Sequence, residues 1–177
     1  MSHQQNDTPA TIADPFEFAR RGGRIEGVVD AAGLPRLIDM LRSTASQPVG
    51  YVVTGESEKS ALGEKLFLHV QAGGELVLGC QRCLEELPYV VDVDARLLLV
   101  SADEPLPDDE LEDDSHDPVH AGRDFDVRQA LEEELILALP LAPVHDVCDA
   151  PVEAVRDEDA SPFAALKSLK RGKPDSQ

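Results

Sequence analysis

The sequence contains no tryptophan, two tyrosines and five phenylalanines, so aromatic residues amount to only 4%. A core must therefore be built mainly from Leu, Val and Ala, and the 42% of hydrophobic residues is enough to build one. Positive charge is scarce as well: 16 Lys and Arg stand against 35 Asp and Glu, a formal charge of −19. A field of that sign repels phosphate backbones, so the average surface suits basic proteins better than nucleic acid. Three cysteines make no even disulfide framework and point to a reducing compartment. Long apolar runs are missing too. The longest, LILALPLAPV at 135–144, is too short to span a bilayer and holds two prolines. The first fifteen residues lack the basic and apolar regions of a signal peptide. These absences describe a soluble, cytoplasmic protein. There is also no Walker loop, GxGxxG, GxSxG or HExxH, so no catalytic residue and no organic cofactor is assigned.

What is present reads as an α+β domain, mainly an antiparallel sheet with a packed C-terminal helix, an acidic loop and flexible termini. Residues 1–15 are polar and expected to be disordered. RIEGVVD at 24–30 reads as a first strand, and LPRLIDMLRST at 34–44 as a helix with an apolar face at 34, 37, 38 and 41. Alternation places Val49, Tyr51 and Val53 on one side of a strand at 49–56, and Leu66, Leu68 and Val70 on one side of another at 64–71. AGG at 72–74 reads as a hairpin turn, after which ELVLGC returns as a further strand. The clearest strand is 89–100, with Tyr89, Val91, Val93, Ala95, Leu97 and Leu99 in alternation. An acidic, proline-interrupted run follows, taken as a loop over 101–120, and it lacks the ligand order of an EF-hand. FDVRQALEEELILALP at 125–140 reads as a helix capped by Asp126 and stopped by Pro140, with Leu131, Leu135 and Leu139 sharing a face. A single domain is thus expected over 16–149. A linker at 150–160 and a short amphipathic helix with a basic tail at 161–177 would follow it.

Two small clusters carry the chemistry. Cys80 and Cys83 stand two residues apart, as do His145 and Cys148 about sixty residues later. Together they form a Cys₃His set that uses every cysteine in the chain, and zinc takes four such ligands in a tetrahedron. The alternative is a reduced, metal-free dithiol near the surface. Asp146 and Asp149 crowd the second cluster. A thioredoxin-like dithiol fits poorly, because its CxxC opens a helix after a strand, whereas this pair precedes Glu85, Glu86 and Pro88 and then a strand. His116 and His120 fall in the acidic run and are expected to be solvated, while His69 lies in a strand and is expected to be half-buried.

Three stretches are familiar together: CQRCLEELPYVVDV at 80–93, FDVRQALEEELILALPLAPVHDVCD at 125–149 and SPFAALKSLKR at 161–171. In order and spacing they resemble the large ribosomal RNA subunit accumulation proteins, the YceD-like family, over roughly residues 45–171. The resemblance implies a role in synthesis, processing or stability of 23S ribosomal RNA, and so in large-subunit biogenesis, with no known catalytic activity. Members resembling this chain carry the pair at Cys80 and Cys83 and the region from His145 to Cys148. An acidic protein can serve ribosomal RNA by binding a basic ribosomal protein or a pre-ribosomal particle. It can also touch RNA directly through a local basic element, here Lys167, Lys170, Arg171 and Lys173. The overall charge favours the protein route. A thiol oxidoreductase and an rRNA-processing nuclease are the rival readings.

Overall fold

A computed structural model of the chain describes residues 11–60, 63–106 and 115–148. The expected linker at 150–160, the amphipathic helix and basic tail at 161–177 and the middle of the acidic run lie outside the described residues. The architecture is α+β. A five-stranded sheet holds β2 (Arg24–Asp30), β3 (Pro48–Ser60), β4 (Gly63–Gly79), β5 (Glu86–Ser101) and β6 (Asp117–Ala121), in that spatial order. A two-residue strand β1 (Thr11–Ile12) pairs with β7 (Phe125–Asp126), and the helices are α1 (Pro15–Arg20) and α2 (Val127–Leu137).

The period-2 pattern sets which face is buried. Tyr51, Ala72 and Val93 line up across β3, β4 and β5, and so do Val53, Val70 and Ala95. That inner face packs against Phe18 and Ala19 of α1 and against Val127, Leu131 and Leu135 of α2. Full burial of one such leucine contributes about 1.5–3 kcal/mol before conformational entropy is subtracted. α1 starts where Asp14 accepts the Glu17 N–H, with Pro15 as its first residue. Beneath it the sheet carries Gly55, where a Cβ would lie 2.5 Å from the Phe18 carbonyl oxygen. α2 starts where the Asp126 carboxylate accepts the N–H groups of Arg128 and Gln129. The opposite face of the sheet is more polar; its buried apolar residues are a small cluster of Phe67, Leu98 and Val100, and Val28 and Val90 are exposed on it. Arg96 lies 3.7 Å from the centre of the Phe67 ring and is ion-paired with Glu56 and Glu58.

Five expectations are corrected. Residues 11–15 are structured, through β1 and the first residue of α1. Residues 34–44 form no α-helix; they follow a 3₁₀ turn at Ala31–Gly33 and include another at Ile38–Met40. The apolar spacing there is real, since Leu34 and Leu37 are fully buried. However, the chain turns extended at Leu41, which bridges to Leu78, and the Arg42 N–H donates to the Val77 carbonyl; Glu132 of α2 accepts the first-turn N–H groups of Arg36 and Leu37. The glycines at 73 and 74 make no turn. β4 runs straight through them, flanked by Gly50 and Val49 on one side and Asp92 and Val91 on the other. Asp117–Ala121, expected within the acidic loop, forms a strand parallel to β5. His116 is buried rather than solvated, its ring edge-on to Phe67 at 5.4 Å. His69 is half-buried as expected, with Nε2 2.8 Å from Asp94, while His120 is exposed.

Candidate metal centre

The first arm of the centre is the turn that joins β4 to β5. The Cys80 N–H donates to the Glu85 carbonyl at 2.9 Å, and the Leu84 N–H donates to the Cys80 carbonyl at 2.9 Å. Closing so tight a loop places Leu84 at φ 66°, a left-handed conformation that costs a residue with a Cβ about 1–2 kcal/mol. The second arm leaves the end of α2, where the Tyr89 hydroxyl donates to the Ala138 carbonyl. Pro140 and Pro143 then hold the chain away from helix as it crosses the first arm. The Gln81 N–H donates to the Pro143 carbonyl at 2.8 Å, and the Arg82 guanidinium donates to the His145 carbonyl at 2.6 Å. Backbone groups thus dock one loop on the other before any side chain of the centre is counted.

The four expected ligands meet. One donor atom from each of Cys80, Cys83, His145 and Cys148 lies within 4.8 Å of all the others. Cys83 Sγ is 3.3 Å from His145 Nδ1, and the His145 N–H points at Cys80 Sγ at 3.4 Å. The other ring nitrogen, Nε2, is 3.1 Å from the Glu86 carbonyl oxygen, an acceptor only, so it carries the proton. Nδ1 is left with its lone pair directed at the centre. Metal-bound histidines are oriented in this way by their second nitrogen. Cys80 is buried and the other three are half-buried.

The electrostatics favour a cation. Burial raises the Cys80 thiol, but the N–H groups of Cys83, His145 and Arg82 outweigh it and bring the pKa from 9.0 down to about 5. Cys148 moves the other way, to about 11, through burial and through its sulfur neighbours Cys83 and Cys80. The two sulfurs are thus pushed in opposite directions, Cys148 by burial first and then by its sulfur neighbours, and a bound cation would favour the ionised form of both. Three thiols and one imidazole nitrogen are a donor set suited to zinc, and this cluster can hold a metal ion.

Asp146 is exposed and is not one of the converging groups, and Asp149 lies outside the described residues. The dithiol does not open a helix; it occupies a strand-to-strand turn, which removes the helix N-terminus that a thioredoxin-like thiol needs. The supporting groups, Arg82 and the Glu86 and Pro143 carbonyls, escaped the sequence reading. Two of the three are backbone atoms and have no sequence signature.

A family model described as "Large ribosomal RNA subunit accumulation protein YceD" matches residues 68–170, more than half of the chain. The chain belongs to the YceD family. The match begins within β4 and takes in both arms of the centre, so all four converging residues lie within the matched stretch. Membership connects the chain with accumulation of large-subunit ribosomal RNA. No solved structure matches it. Among the described residues, no helix is long and apolar enough to cross a membrane.

Proposed function

We propose that this protein is a non-enzymatic, cytoplasmic factor in large ribosomal subunit biogenesis. It acts on the synthesis, processing or stability of 23S ribosomal RNA through a basic protein partner. The observation that carries this reading is its place in the YceD family. The choice of partner rests on charge: 35 acidic against 16 basic residues speed encounter with a cationic protein and slow encounter with RNA. In the same reading Cys80, Cys83, His145 and Cys148 hold one zinc ion. With four protein ligands such an ion has no open position for water or substrate, so its contribution is structural, tying the loop after α2 to the turn between β4 and β5.

Depletion of the protein tests the assignment. The ratio of 23S to 16S rRNA falls on depletion, and an unchanged ratio overturns it. The partner is tested by capture on the immobilised full chain after nuclease treatment. A basic ribosomal protein retained at low salt and released at high salt supports the reading, and its absence refutes it.

A further inference from the structure

The two sides of β5 are used unequally. β4 pairs with it from Glu86 to Leu98, whereas β6 covers only Leu97–Ser101. Among the described residues, Glu86–Arg96 therefore has a strand on one side and none on the other. Alternate residues of that stretch direct both their N–H and C=O groups outward. An open edge of this kind is a template for another strand, and sheets guard against wrong partners there with proline, bulges or charge. Pro88 stands near the start of the stretch, but no proline follows it up to Arg96.

Asp92, and Asp94 whose carboxylate also binds His69 Nε2 and the Gln71 amide of β4, put negative charge at the edge, yet the surroundings are not those of a merely protected edge. Val90, 73% exposed, shares the face of Asp92, and Leu137 of α2, 72% exposed, lies across from the edge, so apolar surface is offered beside the charge. Between the edge and α2 lies a groove of about 320 Å³ lined by Asp92, Asp94, Asp117, Glu134 and Leu137. Glu134 faces this groove with its pKa raised by burial and by the charges of Asp117 and Glu133. A cation entering the groove would relieve that repulsion. A second copy of the edge would set Asp92 and Asp94 against themselves, which is destabilising across paired strands. Nucleic acid would meet the same repulsion.

We propose that the open edge of β5, from Tyr89 to Arg96, takes an extended basic segment of a partner protein as an added strand. Backbone hydrogen bonds supply the pairing. Lysine or arginine at alternate positions meets the face of Asp92 and Asp94, and the small apolar residues between them point to the other face, beside Leu137 of α2. The inference rests on the reading that the partner is basic, and adds where and in what conformation it binds.

The probe is a fluorescein-labelled eight-residue peptide of alternating lysine and valine. Its control has the same lysines with proline in place of valine, so it keeps the charge and cannot pair as a strand. The alternating peptide should bind the full-length protein at least tenfold more tightly. It should slow hydrogen exchange at alternate amides of residues 89–96 and lose at least fivefold in affinity to Asp92→Lys, whose melting temperature is measured alongside. Equal binding of the two peptides, protection confined to the acidic run at 101–118, or edge amides already protected in the free chain would each overturn the inference. A basic ribosomal protein captured equally by wild type and Asp92→Lys also sinks the edge but spares the functional reading. If no basic protein is captured, that reading falls.

Discussion

Cys80 and Cys148 stand 68 positions apart in the sequence, and their sulfur atoms lie 3.8 Å apart. A tetrahedron with zinc–sulfur bonds of about 2.3 Å has sulfur–sulfur edges of about 3.8 Å. A disulfide would need roughly 2.05 Å. The separation matches the edge of such a tetrahedron and not a disulfide, and Cys83 also approaches His145 Nδ1 closely, at 3.3 Å.

Protein purified without chelator should carry about one zinc per chain by elemental analysis, and Cys83→Ser or Cys148→Ser should lose it. The sheet has its own core, so removing the ion should loosen the loops without abolishing the fold. A fall in melting temperature of roughly 5–10 °C in excess chelator is expected, corresponding to a few kcal/mol for a domain of this size. A metal-free preparation with unchanged melting would refute the zinc assignment.

Glu132 is buried and its carboxylate accepts two backbone N–H groups, those of Arg36 and Leu37. Glu132→Ala leaves both donors unsatisfied and should cost about 2–4 kcal/mol in urea unfolding. Glu132→Gln keeps an acceptor oxygen and should cost less than half of that.

The adjacent glycines of β4 should respond in opposite ways. A Cβ at Gly74 would lie 2.8 Å from the Pro48 carbonyl oxygen, whereas one at Gly73 would meet nothing closer than 3.6 Å. Gly74→Ala should destabilise by about 1–3 kcal/mol, because backbone must shift. Gly73→Ala should be neutral or stabilising by up to about 1 kcal/mol, since alanine loses less backbone freedom on folding. Paired urea titrations decide both.

Asp30 has its carboxyl held below the ordinary 3.8, first by the Gln47 N–H and then by the Ser46 side chain and the Ala32 N–H, against a smaller opposing effect of burial. Its folded pKa is depressed, so its contribution is complete above the unfolded value and disappears as pH falls through the folded one. Asp30→Asn should therefore lower stability at neutral pH and make it less steep in pH below about 4, measured as the urea midpoint across that range.

Much of the sheet was legible because only one of its faces is deeply buried. Tyr51, Ala72 and Val93 fall on that face by simple alternation, and a one-residue slip would have exposed them all. The stretch at 34–44 misled because apolar residues at helical spacing can be buried equally by turns, and what ends the helical path is the pairing of Leu41 and Arg42 with Leu78 and Val77 of β4. Gly73 and Gly74 looked like a hairpin because glycine pairs usually mark turns. Here both glycines are paired on both sides, and β5 continues past them. The parallel strand β6 begins at the edge of an acidic run, where local composition argues against any strand. For the centre, the ligand types were legible because cysteine is so rare in this chain. Their meeting was not, since it depends on the Pro143 and His145 carbonyls, which have no sequence signature, being found by the Gln81 N–H and the Arg82 guanidinium.

The long separation between the two arms also orders events during synthesis. The turn bearing Cys80 and Cys83 leaves the translating ribosome well before the loop bearing His145, which follows Cys83 by 62 positions. A nascent chain carries half a ligand set until β5, β6 and α2 have all been made. The four groups can converge only once the sheet and its covering helix are complete. Prematurely terminated chains would be marked by two unsatisfied thiols.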